Sequence, residues 1–554
     1  MQDRLLLTSE KSIWYTLPQL KLKRFSTWTQ KKSFKVGEKE IKLREDRQFI
    51  SRCPIIAQSR PELVTKMEEI VGNYEMSIIP RGNFSPDETM LLTLDKASLM
   101  KAILAQTPVQ SEIPTAEERT EVMVVDGMVE AQALTKKPST TKMLHLKQQF
   151  NTRIQNKARR GKYTELRILF DEYRPFSLKS KTRQKRSQRS KSEFINEDVG
   201  FEFHDEMNIK KTSIADILAT STSKKQLTVY LAHGLLEEYE GNLGVKLIVS
   251  YDSKIEIHKP HTLDQGFTSH GHEEADTQIP MHILNSLSDS TYKHIDVYSP
   301  DTDVLVLLMD LVSRGHVGPL TNLLLHAGKG RDQKVIDIVN RVSCIGQVKY
   351  QGLVGLHNFT GNDYGGKFVG ISKERWCKLY LELPADHDIV RALGCVGLLT
   401  TEECVLDNGN LSVNVRPLES FTCGAYDANG PSTLPALRWK LFSTKNKEAE
   451  NLPPCRATLS PHIQRTNYLS RVYKSYHETH PIFPDLLESG WTRHQNTSDV
   501  FPVHCFLPPA PKSIMELVKC CCKAGDCSSN HCSCHKSSMP CTPLCSCSDV
   551  CSNT

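Results

Sequence analysis

The sequence predicts an α/β protein whose largely parallel sheet is flanked by helices and followed by a helical annex and a small cysteine-rich module. Between residues 116 and 400, short apolar strands alternate with helical patterns, which is typical of a parallel sheet covered by helices. Over residues 401–515, helical patterns and proline-containing spacers predominate. Toward the end of the chain, 11 of the 18 cysteines fall between Cys505 and Cys551. This density predicts metal binding rather than disulfide bonds.

Length and composition set the organisation that we expect. A chain of 554 residues, 39% hydrophobic and 24% charged, can form large cores and predicts about two to four domains. Because no apolar run reaches the length of a membrane span and the first residues do not resemble a secretory signal, we expect an intracellular protein without membrane contact. The predicted regions are an N-terminal accessory region (1–115), an α/β domain (116–400) with a basic insert near 177–192, a helical annex and linker (401–515), and a zinc-binding domain (516–554).

Acidic residues follow the apolar segments of the predicted α/β domain. The stretch "EVMVVDGMV" contains Asp126, "ELRILFDEY" contains Asp171, and "HIDVYSPDTD" ends with Asp301 and Asp303. Asp363 follows a further apolar approach, "LHNFTGN". Residues just past the carboxyl ends of parallel strands line one crevice, so we expect these acids to meet there. The alternatives are a turn with a helix cap for Asp301 and Asp303, and scattered surface caps for the whole set.

Clustered carboxylates predict a divalent-metal site. Neighbouring carboxylates repel one another, and at neutral pH they remain ionised together only when cations compensate their charge. Hard oxygen ligands suit Mg²⁺ or Mn²⁺. Two such ions about 4 Å apart activate water and stabilise the leaving oxygen during phosphodiester cleavage. A two-metal site of this kind would suit phosphodiester hydrolysis, and separate caps and turns remain the alternative.

The order of these acids resembles the flap-endonuclease branch of the PIN-like 5′-nuclease superfamily over residues 121–376. "VVDGMV" and "ILFDEY" are similar to the first two acidic strands of the family. "EEADTQI", "SPDTDVLVL" and "FTGNDYGG" are similar to its later acidic motifs. The resemblance implies a site for two Mg²⁺ or Mn²⁺ ions. The implied catalytic and metal-binding residues are Asp126, Asp171, Glu274, Asp276, Asp301, Asp303 and Asp363.

A basic run follows the second acidic motif. "KSKTRQKRSQRSK", from Lys179 to Lys191, has seven basic residues and no acidic one. It is similar to the arch segment of the family, which implies that Lys179 and Arg186 bind the phosphate of the substrate. The alternative is a solvated basic loop. The later segment "GGKFVGISKERW" departs from the helix-hairpin-helix of the family, so the mode of duplex binding is not implied.

Two histidines and three cysteines carry weaker indications. In "SHGHEE", His270 and His272 lie beside the expected acids, and we expect exposed loop histidines there rather than metal ligands. Cys344, Cys377 and Cys395 lie in apolar surroundings of the sequence, which favours core positions over nucleophiles.

The cysteine-rich end resembles the CXC domain of tesmin-like and male-specific-lethal chromatin proteins. So short a segment cannot bury a core, and bound zinc would supply its folding free energy. The resemblance implies about three zinc ions and DNA binding, with Lys519, Lys523, His535 and Lys536 as candidate phosphate contacts. A metallothionein-like metal store or an oxidised tail is the alternative. Cys521 is an additional cysteine whose register with Cys520 is ambiguous. The implied ligands are Cys520, Cys522, Cys527, Cys532, Cys534, Cys541, Cys545, Cys547 and Cys551.

These features predict a nuclear, divalent-metal-dependent nuclease that acts on DNA or RNA, with DNA favoured, and that a zinc module tethers to nucleic acid. The whole set most closely resembles PIN-like proteins of unknown role that occur in many animal genomes and look transposon-derived. The alternative is therefore a non-enzymatic, zinc-dependent DNA-binding protein on an inactive PIN-like scaffold. A metal-storage tail on an unrelated fold is a third hypothesis.

Overall fold

The computed structural model describes most of the chain from Met67 onward and two short strands before it. Its two compact units are Glu68–Pro511, and Met1–Met67 together with Lys512–Thr554. The basic insert with Lys179 and Arg186 lies outside the described residues. The described residues are 33–36, 39–42, 67–93, 97–106, 121–161, 163–174, 177–178, 201–239, 245–258, 266–288, 292–328, 333–363, 365–444, 449–493, 500–511, 520–522, 527–536, 541, 545–547 and 551–553.

Strands and helices alternate through the first half of the larger unit, and helices predominate in its second half. The strands are β1 (Ser33–Val36), β2 (Lys39–Lys42), β3 (Val122–Asp126), β4 (Glu165–Leu169), β5 (Lys246–Tyr251), β6 (Lys254–His258), β7 (His294–Tyr298), β8 (Asn322–Ala327), β9 (Lys334–Asp337), β10 (Leu406–Asp407), β11 (Asn410–Leu411), β12 (Trp491–Arg493) and β13 (Val500–Pro502). The α-helices are α1 (Met67–Asn73), α2 (Ala97–Gln106), α3 (Gly127–Gln132), α4 (Met143–Gly161), α5 (Ile214–Ile217), α6 (Ser221–Tyr239), α7 (Ala275–Leu287), α8 (Thr302–Ser313), α9 (Ile338–Ile345), α10 (Gln347–Gln351), α11 (Leu353–Phe359), α12 (Lys373–Glu382), α13 (Asp388–Cys395), α14 (Arg416–Tyr426), α15 (Leu434–Ser443), α16 (Arg456–Lys474) and α17 (Ser533–Lys536). Short 3₁₀ helices span Glu402–Cys404, Ala449–Asn451, Ser475–His477 and Leu486–Glu488.

Seven of the described strands form one mixed sheet in the order β6-β5-β4-β3-β7-β8-β9. The five central strands are parallel, and the edge strands β6 and β9 are antiparallel to their neighbours. The predicted α/β class, with a largely parallel sheet flanked by helices, is confirmed. One segment differs from the expectation that each of these acids follows a strand: the apolar run before Asp363 forms helix α11, and residues 353–359 of this helix are all buried.

Helices cover both faces of the sheet. Alternate residues of a strand point to opposite faces, so Leu247 and Val249 of β5 pack with α4 and α6, whereas Ile248 packs with Met281 of α7 on the other side. Every residue of α8 is buried, which explains its almost continuous apolar sequence. Among the described residues, no helix is long and apolar enough to cross a membrane.

A buried ion-pair network fixes α7 against β4. Arg167 and Glu165 lie two residues apart on β4 and form an ion pair that is almost fully excluded from solvent. Arg167 also donates a hydrogen bond of 2.8 Å to Asn285 of α7, and Lys246 of β5 lies 3.2 Å from the Glu165 carboxylate. The network thereby sets the position of a helix that carries one predicted site acid at its N-cap, Glu274, and another in its first turn, Asp276.

We expect Arg167→Met to lower the free energy of unfolding by about 3 kcal/mol, because it leaves the buried Glu165 carboxylate without its closest cation. Adding Glu165→Leu in the double variant should recover part of this loss, since both buried charges are then absent. Urea denaturation followed by tryptophan fluorescence measures both values. A double variant that is less stable than the single variant would contradict this account of the network.

Candidate metal centres

The topology of the sheet places a crevice between β3 and β7. From β3 the chain proceeds through β4 to β5 on one side of the sheet, and then returns to β7 and β8 on the other. In open parallel sheets such a reversal of strand order opens a crevice outside the carboxyl ends of the two strands. Asp126 is the last residue of β3, and Asp301 follows β7 after two residues. Both acids therefore lie at the position where this architecture binds ligands.

Asp126 combines a structural role with its place in the crevice. Its carboxylate accepts hydrogen bonds from the backbone N–H groups of Met128 (3.0 Å) and Val129 (3.2 Å), which caps α3. The residue is only 8% exposed. Asp at a helix N-cap satisfies N–H groups that have no partner within the helix. The strand-to-helix turn thus holds the carboxylate at the edge of the sheet.

Asp171 brings the predicted acids of α7 to the same edge. Oδ1 of Asp171, two residues past β4, accepts a hydrogen bond of 2.9 Å from the N–H of Ala275, the first residue of α7. Glu274 occupies the N-cap position of this helix, and Asp276 lies in its first turn. In addition, the N–H of Glu172 donates to the carbonyl of Glu273. The motif "EEAD" is consequently tied to the end of β4.

Asp301 caps a helix, and together with Asp303 it also belongs to a compact group of carboxylates. Asp301 caps α8 by accepting a hydrogen bond of 3.0 Å from the N–H of Asp303. At the same time, one carboxylate oxygen from each of Asp276, Asp301 and Asp303 lies within 4.8 Å of the other two. Three convergent carboxylates are a donor set suited to a hard divalent cation.

The electrostatics of the crevice also fit a cation. Burial, together with the nearby carboxylates of Asp171 and Asp301, raises the pKa of Asp126 to about 8, and the hydrogen bonds from Val129 and Met128 offset only part of this rise. Without a compensating cation, the acids therefore do not all ionise at neutral pH. A bound divalent cation would remove this penalty, so the donor set fits Mg²⁺ or Mn²⁺.

Two residues that the sequence did not indicate hold the Asp303 carboxylate. Tyr473, in α16, donates a hydrogen bond of 2.8 Å to Oδ2 of Asp303. Nε2 of His357, in α11, lies 2.9 Å from Oδ1. All three residues are at most 2% exposed. Helix α16 of the predicted annex thus contributes directly to the acidic centre.

We expect Tyr473→Phe to weaken Mn²⁺ binding by about 10- to 100-fold, because groups that orient a metal ligand commonly contribute that much to affinity. Tyr476→Phe is a matched control. It removes an equally buried tyrosine whose 2.8 Å hydrogen bond goes to Asp310 of the same helix α8, away from the acid cluster. Isothermal titration with Mn²⁺ compares the two variants. Equal affinities would show that Tyr473 only packs the core.

The remaining predicted acid occupies a different setting. Asp363 follows α11 and lies just past Gly361 and Asn362 in a loop rather than at a strand end. Among the described residues, the compact carboxylate group contains Asp276, Asp301 and Asp303, and it does not include Asp363. The structure thus gathers Asp126, Asp171, Asp276, Asp301 and Asp303, with Glu274 at the N-cap of α7.

The expectation of exposed histidines in "SHGHEE" was wrong. His270 and His272 are 2% and 3% exposed. Nε2 of His270 lies 3.0 Å from the Ser250 hydroxyl, and Nε2 of His272 lies 2.7 Å from the carbonyl oxygen of Glu478. Burial lowers the pKa of His270 to about 4. The two rings therefore anchor the loop before α7.

Core positions were expected for Cys344, Cys377 and Cys395, and this prediction is correct for one of the three. Cys377 is buried, as predicted, and burial raises the pKa of its thiol to about 12. Cys344 and Cys395 are exposed, because each lies near the end of a surface helix and its side chain faces away from the core.

The cysteines of the tail form a second candidate metal centre. Three groups of four thiols each bring their sulfur atoms within 4.8 Å of one another. They are Cys520, Cys534, Cys541 and Cys545; Cys520, Cys527, Cys541 and Cys547; and Cys520, Cys522, Cys527 and Cys532. Cys551 packs against the same cluster, whereas Cys521 is exposed. The groups share members, as thiolates that bridge metal ions do.

Distances within the cluster match zinc–thiolate geometry. Sulfur–sulfur distances are 3.7 Å for Cys520–Cys527, 3.8 Å for Cys520–Cys541 and 3.5 Å for Cys534–Cys545. A tetrahedral zinc site with Zn–S bonds of ~2.3 Å has edges of about 3.8 Å. Of the candidate phosphate contacts, Lys519 and Lys523 lie outside the described residues, whereas Lys536 is exposed and His535 partly buried on α17.

No protein-family model matches the chain, and no curated protein matches it. Two solved structures of a bacteriophage T5 flap endonuclease align with 65% of this chain. A variant in a pseudo-enzyme–product complex with DNA and metal ions shares 13% identity over 98% of its length, with a TM-score of 0.28. The protein crystallised with metal ions shares 12% identity over 99% of its length, also with a TM-score of 0.28.

Proposed function

We propose that this protein is a Mg²⁺- or Mn²⁺-dependent nuclease that hydrolyses phosphodiester bonds in nucleic acid. The observation that carries the proposal is the convergence of Asp276, Asp301 and Asp303 within 4.8 Å at the carboxyl edge of the sheet. The Asp171 carboxylate lies close enough to Asp126 to help raise the pKa of Asp126. The topology is also consistent with the PIN-like architecture that the order of the acidic motifs resembles.

In this proposal two groups of acids would each bind one cation. Asp276, Asp301 and Asp303 would hold one ion, and Asp126, Asp171 and Glu274 would contribute to the second. Asp363, in the loop after α11, would contribute from outside the compact carboxylate group. Bound Mg²⁺ or Mn²⁺ supplies water activation and charge neutralisation for phosphodiester hydrolysis. Lys179 and Arg186 of the basic insert bind the phosphate of the substrate, a role that their charge and hydrogen-bonding groups suit.

The cysteine tail is proposed to bind three zinc ions. The Cys551 sulfur accepts hydrogen bonds from the thiols of Cys527, Cys541 and Cys547, and in this proposal it takes the place of Cys520 in the second of the three groups. Cys520, Cys527 and Cys541 would then each be shared by two ions, and the other six thiolates would each hold one. Nine thiolates shared in this way would satisfy three four-coordinate zinc ions. All nine predicted ligands are used in this arrangement.

The zinc module is proposed to bind DNA and to raise the local concentration of substrate for the nuclease, as a second binding site on one chain does. DNA is the favoured substrate over RNA, and a nuclear location belongs to the same proposal. The proposed division of the chain is an accessory region (1–115), a nuclease domain (116–400), an annex and linker (401–515) and the zinc domain (516–554).

The proposal is tested by cleavage of labelled flap, hairpin and single-stranded DNA and of single-stranded RNA, with Mg²⁺ or Mn²⁺. Wild type should cut at least one substrate, and Asp301→Asn/Asp303→Asn should cut none while it retains zinc-dependent binding. The same assay examines a non-enzymatic DNA-binding function, which the clustered thiols also support. Zinc-dependent binding without cleavage of any substrate by wild type would select that function and reject the nuclease.

A further inference from the structure

A cavity of about 300 Å³ lies beside the acidic crevice. Helices α3 and α4 and the residues that follow β7 and β8 enclose it. Its polar lining includes Glu130, Arg153, Lys157, Tyr298 and His326. None of these residues belongs to the predicted nuclease site, so the cavity has no role in the function proposed above.

Two residues that line the cavity also adjoin acids of the predicted metal site. Val129 lines the cavity, and its backbone N–H donates the hydrogen bond that helps to hold Asp126. Pro300 lines it as well and directly precedes Asp301. A ligand in the cavity is therefore next to whatever occupies the acidic centre.

The charged groups of the cavity leave an excess of positive charge. Arg153 and Lys157, one helical turn apart on α4, both pair with the Glu130 carboxylate at 2.9 and 3.0 Å. Glu130 is buried, whereas the side chains of Arg153 and Lys157 remain 39% and 26% exposed. On the α4 side of the cavity, two cations with one shared anion carry a net charge of +1, which favours an anionic ligand there. On the β8 side, His326 pairs with the buried Asp296 carboxylate at 3.2 Å.

The aromatic residues of the cavity indicate which part of an anionic ligand binds there. The Tyr298 ring stacks on His326 with 4.2 Å between centroids, and Nζ of Lys157 lies 4.3 Å from the Tyr298 centroid. Because two groups cannot share one position over a ring, His326 and Lys157 cover opposite faces of Tyr298. No face of this ring is then available for base stacking, and the cavity offers charge and hydrogen bonds instead. These are the contacts that position a phosphate rather than a base.

We propose that this cavity binds a backbone phosphate of the nucleic-acid strand, beside the phosphodiester that occupies the acidic centre. Arg153 and Lys157 contact the phosphate and thereby set the register of the strand relative to the acids. The inference rests on the proposed nuclease function and adds to it a phosphate subsite on the side of β8.

The test measures binding of a fluorescent single-stranded DNA to the full-length protein by anisotropy, with Ca²⁺ in place of Mg²⁺. Arg153→Gln and Lys157→Gln should each weaken binding several-fold and reduce the slope of log affinity against log salt by about one. Arg391→Gln and Lys142→Gln, which remove exposed cations from surface ion pairs elsewhere, should change neither quantity. Melting temperatures identify any variant whose fold is impaired.

Neutral methylphosphonate linkages, placed one at a time along the strand, locate the contact. At one position near the cut site, the neutral linkage should weaken binding of wild type but not of Lys157→Gln. Unchanged affinity and cleavage in both variants would overturn the phosphate subsite and leave the proposed nuclease intact. Competition by thymidine monophosphate, without any position-dependent effect, would assign the cavity to a free nucleotide and overturn its role in the strand. Failure of wild type to bind any strand would overturn both proposals.

Discussion

Replacement of Asp303 by Asn is expected to abolish the stabilisation of the protein by Mn²⁺ and to lower cleavage by at least about a hundredfold. At a concentration 100 times its dissociation constant, a ligand that binds only the folded state adds about 2.7 kcal/mol to the free energy of unfolding. Asp303 contributes one of three oxygens within 4.8 Å, and a neutral amide is a poor ligand for a hard divalent cation beside two carboxylates. Thermal unfolding with and without Mn²⁺ measures the loss independently of any substrate.

Asp310→Asn is the matched control for this variant. Asp310 lies two turns further along α8, is fully buried, and accepts a tyrosine hydrogen bond as Asp303 does. It also pairs with Arg314 at 2.8 Å, so its replacement should lower stability equally in the presence and absence of Mn²⁺. If Asp303→Asn retains the full stabilisation by Mn²⁺, the clustered acids are caps and core anchors and do not form a metal site.

The sequence predicted the parts of the acidic centre that depend on local pattern. Asp126, Asp171 and Asp301 each follow a short apolar strand, and parallel strands bring such residues to one edge of a sheet. The positions of the strand ends therefore predict that these three acids, which span 175 residues of sequence, lie at the same edge of the sheet. Asp276 required the resemblance to a family, because its position depends on a hydrogen bond between Asp171 and the first residue of α7.

Other parts of the centre depend on contacts across long sequence separations. Tyr473 reaches Asp303 from 170 residues away, and no periodicity in "SRVYKSY" distinguishes it from any other buried tyrosine. His357 lies within an apolar run whose helix or strand character is ambiguous in sequence, and the same ambiguity led to the wrong assignment of a strand before Asp363. The setting of His272 likewise depends on a distant partner, the carbonyl oxygen of Glu478, which is 206 residues away.

Replacement of Cys520 by Ser is expected to remove about two of the three zinc ions, whereas Cys545→Ser should remove at most one. Cys520 belongs to every group of four thiols in the described tail, and Cys545 belongs to one. In the proposed arrangement Cys520 bridges two ions, so its loss leaves two tetrahedral sites incomplete. Because bound zinc supplies the folding free energy of so small a module, loss of two ions should also unfold the tail. Native mass spectrometry of the full-length protein counts the ions directly.

Cys521→Ser separates zinc ligation from a general effect of removing a thiol. Cys521 is adjacent to Cys520 but exposed, so its replacement should leave the full complement of zinc and the same affinity for DNA. The difference between neighbouring residues tests the register of the cluster, which spacing alone leaves open. Equal zinc loss in the two variants would place the bridging thiolate elsewhere and reject the proposed three-ion arrangement. If both variants retain zinc and DNA binding equally, the tail does not need the Cys520 thiol to fold.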